Sequence, residues 1–211
     1  SSQSRCENAM TTLKLIRYGA WAAIAALGVV MAVVLLSPAS RNDQAGGGRI
    51  GGAFRIANAK GGELESASLR GKPYGVFFGF TQCPDICPGT LTDLTALMDD
   101  LDKGPMASKA KDFRVLFVTV DPERDTADIL GNYLSAFDGR IEGLVPTVEA
   151  LPALARQFAA FYQKVPTSSG YTMNHTSAVY LFNREGVFAG TIDIQESRSS
   201  QKAKLERLLG R

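Results

Sequence analysis

Two cysteines stand where the sequence changes from the pattern of a buried strand to the pattern of a helix. Residues 81–88, Thr-Gln-Cys-Pro-Asp-Ile-Cys-Pro, lie between the apolar run 74–80 and the amphipathic run 90–101. The first run is short, aromatic and uncharged, which is typical of a strand buried on both faces. The second has apolar residues at helical spacing, and a proline near its start suits a first helical turn. The sequence therefore predicts that Cys83 and Cys87 lie at a strand-to-helix junction.

This position favours reactive thiols. Free backbone N–H groups and the positive end of the helix dipole stabilise a thiolate at a helix N-terminus, so the cysteine pKa is expected to fall. Two thiols separated by three residues can bind one soft metal ion or form a disulfide. The usual redox motif has two intervening residues, and the additional one leaves a longer loop that a metal could occupy. The alternative, two small buried apolar residues, fits the flanking prolines and the junction less well.

The small number of soft ligand residues limits the metal sites that the chain can form. The whole chain has three cysteines and one histidine, so a closed four-ligand zinc site would need all four, including Cys6. Cys6 precedes a predicted membrane span and is expected on the other side of the bilayer, so the sequence does not favour a structural zinc site.

The distribution of charge gives no sign of nucleic-acid binding. The 23 Lys and Arg and 21 Asp and Glu residues form no basic stripe interleaved with aromatics.

Residues 18–36 form an uncharged run of nineteen residues that follows two basic residues. At about 1.5 Å per residue, such a helix is about 30 Å long and crosses the hydrocarbon layer. We interpret it as a retained transmembrane anchor; a cleaved signal peptide is the alternative. Residues 1–17 are then a short cytoplasmic segment, and we interpret residues 1–9 as a cloning remnant, because Met10 begins a plausible bacterial start. The chain is thus expected to be a single-pass protein of the bacterial inner membrane.

The remaining sequence predicts a linker and one exported domain. Residues 37–52 are rich in glycine and predict a flexible linker. Residues 53–211 predict a thioredoxin-like α/β domain in the periplasm, because two buried strands joined by a helix form a parallel β-α-β unit and a terminal antiparallel pair follows. The expected elements are strands at 74–80, 115–120, 177–182 and 187–192, a small hairpin at 54–66, helices at 90–101, 127–137, 148–162 and 201–209, and a polar loop at 166–174. Sites in such sheets lie beyond the carboxyl ends of the strands, where Cys83 follows directly.

His175 is the only histidine, and it ends the polar loop just before the strand at 177–182. A lone histidine is commonly a satisfied surface or core residue. Here it leads into a strand of a sheet in which another strand ends at two thiols. Two thiolates and one imidazole form a ligand set suited to Cu(I), and also to Cu(II) in a trigonal or tetragonal site.

Three segments of the chain are similar to signatures of a known family. From about Ile50 to the C-terminus, the chain resembles the Sco/SenC family of copper-binding assembly factors for cytochrome c oxidase. The segments that carry the resemblance are the cysteine motif Gly79–Pro88, the second signature Val120–Thr126 and the histidine segment Asn174–Ser177.

The resemblance implies a metal site and partners. It implies that Cys83, Cys87 and His175 bind copper, as Cu(I) and Cu(II), and that the protein helps to build the CuA centre of cytochrome c oxidase subunit II. Subunit II is therefore the expected partner, and another periplasmic copper chaperone is a further candidate. The thioredoxin fold, the anchor and the glycine linker expected of the family agree with the patterns described above.

Two carboxylates lie near the predicted site. Asp85 lies between the cysteines, where it either tunes the bound copper and the thiolates or caps the helix. Asp121 ends the strand at 115–120, where it either orders the next loop or bonds His175. The family commonly has an acidic residue before the histidine. This chain has Met173 and an asparagine there, and Met173 either packs the loop or offers a thioether.

The leading functional hypothesis is a membrane-anchored copper chaperone rather than an enzyme. The alternative is a thiol-disulfide oxidoreductase that reduces the subunit II cysteines before metal arrives, with Cys83 and Cys87 as its redox disulfide. Thioredoxin-like oxidoreductases usually have a cis-proline before the strand facing the cysteines. This chain has Thr176 there, which favours metal binding, although one protein can do both. A peroxidase of peroxiredoxin type is a third hypothesis.

Overall fold

The computed structural model describes residues 50–210, together with Trp21 and Leu27. The predicted cytoplasmic segment, Cys6, most of the predicted linker and, apart from those two residues, the predicted anchor lie outside the described residues. Within the part that is described, no helix is both long and apolar enough to cross a bilayer.

A seven-stranded sheet and a separate two-stranded hairpin make up the β-structure of residues 50–210. The strands are β1 Arg55–Asn58, β2 Glu63–Glu65, β3 Tyr74–Gly79, β4 Arg114–Thr119, β5 Ile141–Val145, β6 Tyr162–Thr167, β7 Gly170–His175, β8 Val179–Phe182 and β9 Phe188–Ile192. The large sheet has the order β2-β1-β5-β4-β3-β8-β9, while β6 and β7 pair only with each other. The three central strands β3, β4 and β5 are parallel, and β8 pairs antiparallel with β3. The central β-α-β arrangement predicted from the sequence is therefore present.

Helices cover both faces of the sheet. They are α1 Ile86–Asp102, α2 Ala107–Ala110, α3 Ala127–Leu134, α4 Leu151–Gln157 and α5 Arg198–Gly210, with a short 3-10 helix at Ser66–Leu69. Side chains alternate along β3, so Phe77 and Phe78 point to opposite faces. Phe77 packs edge-on against Phe117, whereas Phe78 packs against Phe158 at the end of α4 and Tyr180 of β8. Every residue of β3 is buried, as its uncharged sequence predicted.

The structure corrects two predicted elements. The predicted loop at 166–174 belongs to the β6–β7 hairpin, whose side chains are mostly exposed or half-buried and therefore lack the apolar alternation of a core strand. The predicted helix at 148–162 is shortened to Leu151–Gln157. Ala159 has a left-handed backbone conformation, with a φ of 51°, and the chain then continues as β6.

The strand β5 was not predicted. Its sequence, Ile-Glu-Gly-Leu-Val, has an acidic residue and a glycine in a buried strand. The buried Glu142 forms an ion pair with Arg114 of β4 and accepts a hydrogen bond from Asn58 of β1 at 3.1 Å. These partners come from other strands, so the local sequence does not show that a carboxylate can be buried there.

Candidate metal centre

Three soft donor side chains meet at the carboxyl end of β3. Cys83 lies in the loop after β3, Cys87 lies in the first turn of α1, and His175 ends β7. One ligand atom from each lies within 4.8 Å of the others. The Nε2 atom of His175 is 3.3 Å from the Cys87 sulfur and 3.9 Å from the Cys83 sulfur. Residues far apart in sequence therefore form one compact cluster.

The loop between the cysteines turns the Cys83 sulfur toward the start of α1. The Cys87 N–H donates to the Cys83 sulfur at 3.3 Å, so the helix N-terminus faces that sulfur. Gly79 permits the close packing behind the loop, because a Cβ at this position would lie 2.7 Å from the Phe117 ring and 3.0 Å from the Cys87 sulfur. Cys87 is fully buried, whereas Cys83 is 8% exposed.

The two thiols have opposite pKa shifts. A hydrogen bond from the Cys87 side chain lowers the pKa of Cys83 to about 4, with further stabilisation from His175 and from backbone N–H groups. The same interaction with Cys83, together with burial, raises the pKa of Cys87. Without a metal, Cys83 is therefore the thiolate and Cys87 the proton donor. A metal ion that binds both sulfurs displaces the Cys87 proton.

This asymmetry predicts a pH dependence of thiol reactivity. In the reduced, metal-free protein, we expect the alkylation rate of Cys83 by iodoacetamide to stay nearly constant from about pH 8 to about pH 5, because its lowered pKa keeps the sulfur ionised. A cysteine with an ordinary pKa of about 8.5 loses about tenfold in rate per pH unit below that value. Mass spectrometry of the modified peptides measures the rate at each cysteine separately.

A Cys87→Ala variant is the control for this prediction. It removes the thiol that donates to Cys83, so the pH at which the rate begins to fall should move upward. A Cys83 rate that already falls tenfold per unit below pH 8 in the unsubstituted protein would contradict the assignment of Cys83 as the thiolate.

The orientation of His175 presents one ring nitrogen to the sulfurs. Its Nδ1 atom lies 3.0 Å from the carbonyl oxygen of Thr176. A carbonyl only accepts hydrogen bonds, so Nδ1 carries a proton and Nε2 is the ring nitrogen that faces the thiols. The rings of Phe77 and Phe80 pack edge-on to the imidazole, with centroids 6.2 and 5.7 Å away. The ring is therefore oriented so that Nε2 is the atom that can bind a metal ion beside the sulfurs.

The dimensions of the cluster fit a small metal ion. Metal–sulfur and metal–nitrogen bonds of about 2.0 to 2.3 Å, the range for zinc, separate trigonal donor atoms by about 3.7 Å. The distances from the His175 Nε2 atom to the Cys87 and Cys83 sulfurs, 3.3 and 3.9 Å, lie on either side of this value. A cavity of about 340 Å³, lined by Cys83, Ile86, Met173 and His175 among others, opens onto the cluster and provides room for ligands from a partner.

Neither of the two carboxylates predicted near the site bonds a member of the Cys83–Cys87–His175 cluster. Asp85 is exposed at the position preceding α1, and its side chain makes no capping hydrogen bond. Asp121 accepts hydrogen bonds from Arg124 and Tyr171, while His175 bonds the Thr176 carbonyl instead. This geometry fits the alternative in which Asp121 orders the loop.

Met173 and Cys6 complete the set of residues named from the sequence. Met173 is 7% exposed and lines the cavity beside the cluster. Cys6 lies outside the described residues.

Sequence reasoning missed Asp125, which holds the loop that leads to the first cysteine. Asp125 is fully buried and accepts hydrogen bonds from the Thr81 N–H at 3.0 Å and from the Thr81 and Thr119 hydroxyls at 2.5 and 2.6 Å. The next residue, Thr126, accepts a hydrogen bond from the Ile129 N–H and caps α3. The only sequence signal for Asp125 is its place in the signature Val120–Thr126, which does not show what it bonds.

A sheet of this topology, with two thiols and an imidazole beyond the end of a central strand, defines a thioredoxin-like domain with a soft-metal site. The comparison with protein-family models identifies the family. The SCO1/SenC model matches residues 42–210. The chain therefore belongs to the SCO1/SenC family.

Individual relatives agree with this assignment. The human protein SCO1 homolog, mitochondrial, is 31% identical over 141 residues, which are 66% of this chain and 46% of the human protein. The chain thus spans about half the length of that relative. Bradyrhizobium japonicum ScoI, solved with copper bound, is 35% identical with a TM-score of 0.67, covering 75% of this chain and 99% of that chain. Arabidopsis thaliana ScoI, also solved with copper bound, is 30% identical with a TM-score of 0.70, covering 76% and 98%.

Proposed function

We propose that this protein is a membrane-anchored copper chaperone that binds copper through Cys83, Cys87 and His175 and helps to assemble the CuA centre of cytochrome c oxidase subunit II. Copper is its cargo rather than a resident cofactor. The observation that carries the proposal is the convergence of three soft donor atoms within 4.8 Å beside an open cavity. Such a site can capture a copper ion and still admit the ligands of a receiving protein.

The donor set supports copper over harder metals. Thiolates select soft ions such as Cu(I), and imidazole also suits Cu(II). Calcium and magnesium prefer oxygen ligands, and the two nearby carboxylates, Asp85 and Asp121, do not join the cluster. The ScoI proteins of Bradyrhizobium japonicum and Arabidopsis thaliana were both solved with copper bound, which supports copper as the cargo.

Family membership supports a role in oxidase assembly. The Sco family is a family of cytochrome c oxidase assembly proteins. Subunit II is proposed as the receiver because its CuA centre needs delivered copper, as the resemblance implies. The predicted anchor at 18–36 would hold the domain at the periplasmic face of a bacterial inner membrane, and the linker at 37–52 would set its reach.

Copper titration followed by transfer tests the proposal. We expect the reduced protein to bind one Cu(I) or one Cu(II) per chain and to lose its copper to a purified, reduced subunit II domain in anaerobic buffer. Size-exclusion separation with metal analysis of both proteins measures the transfer. An oxidised subunit II domain, which has no free thiolates to receive the metal, is the control. Copper that stays on this protein in the presence of excess reduced receiver would contradict a delivery role.

A second candidate function follows from the ionised Cys83. The thiolate could attack a disulfide of subunit II and form a mixed disulfide, after which Cys87 attacks Cys83 and releases the second receiver thiol. This exchange moves two electrons to the receiver and leaves a Cys83–Cys87 disulfide. The lowered pKa of Cys83 and the raised pKa of Cys87 suit these two steps. Reduction of the oxidised receiver domain by the copper-free protein would favour this function over delivery.

A further inference from the structure

The two halves of the candidate metal centre belong to different parts of the fold. The thiols lie at the junction of β3 and α1, whereas His175 is the last residue of a hairpin whose strands pair only with each other. No ladder of backbone hydrogen bonds links β6 or β7 to the large sheet. The imidazole is held by the short connection to β8 and by the Phe77 and Phe80 rings, and the rest of the hairpin is held by contacts of its side chains with the large sheet and its loops.

One arginine contacts both halves. Arg124, in the loop after β4, forms an ion pair with the buried Asp121. Its Nη1 atom donates to the side-chain oxygen of Gln82 at 2.9 Å and to the backbone carbonyl of Tyr171 at 3.0 Å. Gln82 directly precedes Cys83, and Tyr171 lies on the strand that ends at the histidine. A single guanidinium thus links the thiol loop, the sheet and the histidine hairpin.

The ring of Tyr171 strengthens this link. The Arg124 guanidinium stacks on the Tyr171 ring at 3.7 Å from its centroid, and the Lys164 ammonium lies 3.9 Å from the same centroid. The Tyr171 hydroxyl donates to Asp121 at 2.9 Å. Lys164 of β6 also forms an ion pair with Glu123 at 2.5 Å. Cation–π contacts and bonds to charged groups are among the stronger side-chain interactions, so this cluster contributes to holding the hairpin in place.

We propose that Arg124 is a positioning residue of the metal centre: it holds the histidine hairpin against the thiol loop and so determines whether the imidazole reaches the metal. This inference rests on the proposed copper function. Arg124 acts through His175 and touches neither the metal nor the sulfurs. Because two thiolates suffice for Cu(I) whereas Cu(II) favours the additional imidazole, Arg124 sets the preference of the site between the two oxidation states.

The variant Arg124→Gln tests the proposal, because it should change the affinity for Cu(II) and the affinity for Cu(I) by different factors. We expect Cu(II) affinity to fall about 10- to 100-fold, the range for residues that orient metal ligands, while Cu(I) affinity changes by less than about threefold. The matched control is Arg140→Gln. Arg140 bonds the same number of groups, Asp138, Asp102 and the Ala110 carbonyl, but it precedes β5 and so lies at the amino ends of the parallel strands, away from the thiols. It should leave the ratio of Cu(II) to Cu(I) affinity unchanged, and an equal loss of both affinities in Arg124→Gln would overturn the proposal.

A double variant shows whether the effect passes through the histidine. In a His175→Ala background, Arg124→Gln should cause no further loss of Cu(II) affinity, because the group that it positions is absent. The same loss in both backgrounds would mean that Arg124 acts by another route and would overturn the proposal. If Arg124→Gln does not fold, Tyr171→Phe takes its place: it keeps the stacked ring, loses the bond to Asp121, and is expected to shift the same ratio in the same direction by a smaller factor.

A metal-free measurement separates this inference from the proposed function. His175 is the only histidine of the chain, so the NMR signal of its ring Hε1 proton is assigned without ambiguity. In the copper-free protein, Arg124→Gln should shift or broaden that signal and increase amide exchange along β7, whereas Arg140→Gln should do neither. Failure of the unsubstituted protein to bind copper would reject the proposed function. An unchanged histidine signal and unchanged β7 exchange would reject the positioning role alone.

Discussion

Replacing Cys87 with serine is expected to abolish tight copper binding, with a loss of Cu(I) affinity greater than about 100-fold, the upper end of the effect of residues that only support a ligand. Serine has nearly the same shape but replaces a soft thiolate with a hydroxyl that stays protonated and binds Cu(I) weakly. Cys87 is fully buried behind the metal position, so a sulfur ligand from solvent cannot replace it. Competition with a Cu(I) chelator of known affinity measures the loss.

The chain contains a matched control for this substitution. Cys6→Ser makes the same chemical change at the remaining cysteine, which is predicted to lie on the other side of the bilayer, so Cu(I) affinity should not change. Cys83→Ser should behave like Cys87→Ser. If either substitution in the cluster left one Cu(I) bound as tightly as before, the thiol pair would not be the copper site.

Replacing His175 with alanine is expected to weaken Cu(II) by more than about 100-fold, because a direct ligand is lost rather than a residue that orients one. Cu(I) should be affected much less, since both thiolates remain within reach of the ion. The visible absorption of the Cu(II)–thiolate bond and competition with chelators measure the two affinities.

An exposed position on the same hairpin provides the control for His175→Ala. Gln163 of β6 pairs with Asn174, next to the histidine, and its side chain is exposed, so Gln163→Ala should preserve both copper affinities. Equal Cu(II) affinity in His175→Ala and the unsubstituted protein would remove the imidazole from the site and with it the proposed three-coordinate centre.

The sequence predicted the parts of this site whose signals are local. The thiols lie between a continuous apolar run and a helical stripe, so their strand-to-helix position follows from about thirty consecutive residues. The inclusion of His175 was predicted from the shortage of other soft ligands and from the resemblance to the Sco/SenC family. The structure brings its ring within 3.3 Å of the Cys87 sulfur.

The parts that the sequence did not reveal depend on partners distant in the chain. Asp125 bonds Thr81, and Arg124 bonds Gln82, across more than forty residues, and nothing beside either charged residue shows what it contacts. The β6–β7 hairpin was not predicted because its strands are mostly exposed or half-buried. An exposed hairpin needs no apolar alternation, so its polar sequence is also typical of a loop.

The two sulfurs are unequally buried, so the site is accessible from the side of Cys83 and closed on the side of Cys87. Cys83 lines the open cavity, whereas Cys87 is fully buried and packs close to Gly79. If copper is delivered as proposed, a receiving protein would approach the ion from the side of the cavity, so the bond to Cys83 would be displaced first and the bond to Cys87 would break last. Copper transfer would then follow a fixed order, in which the Cys87 sulfur stays bound to the ion until the ligands of the receiver have bound it.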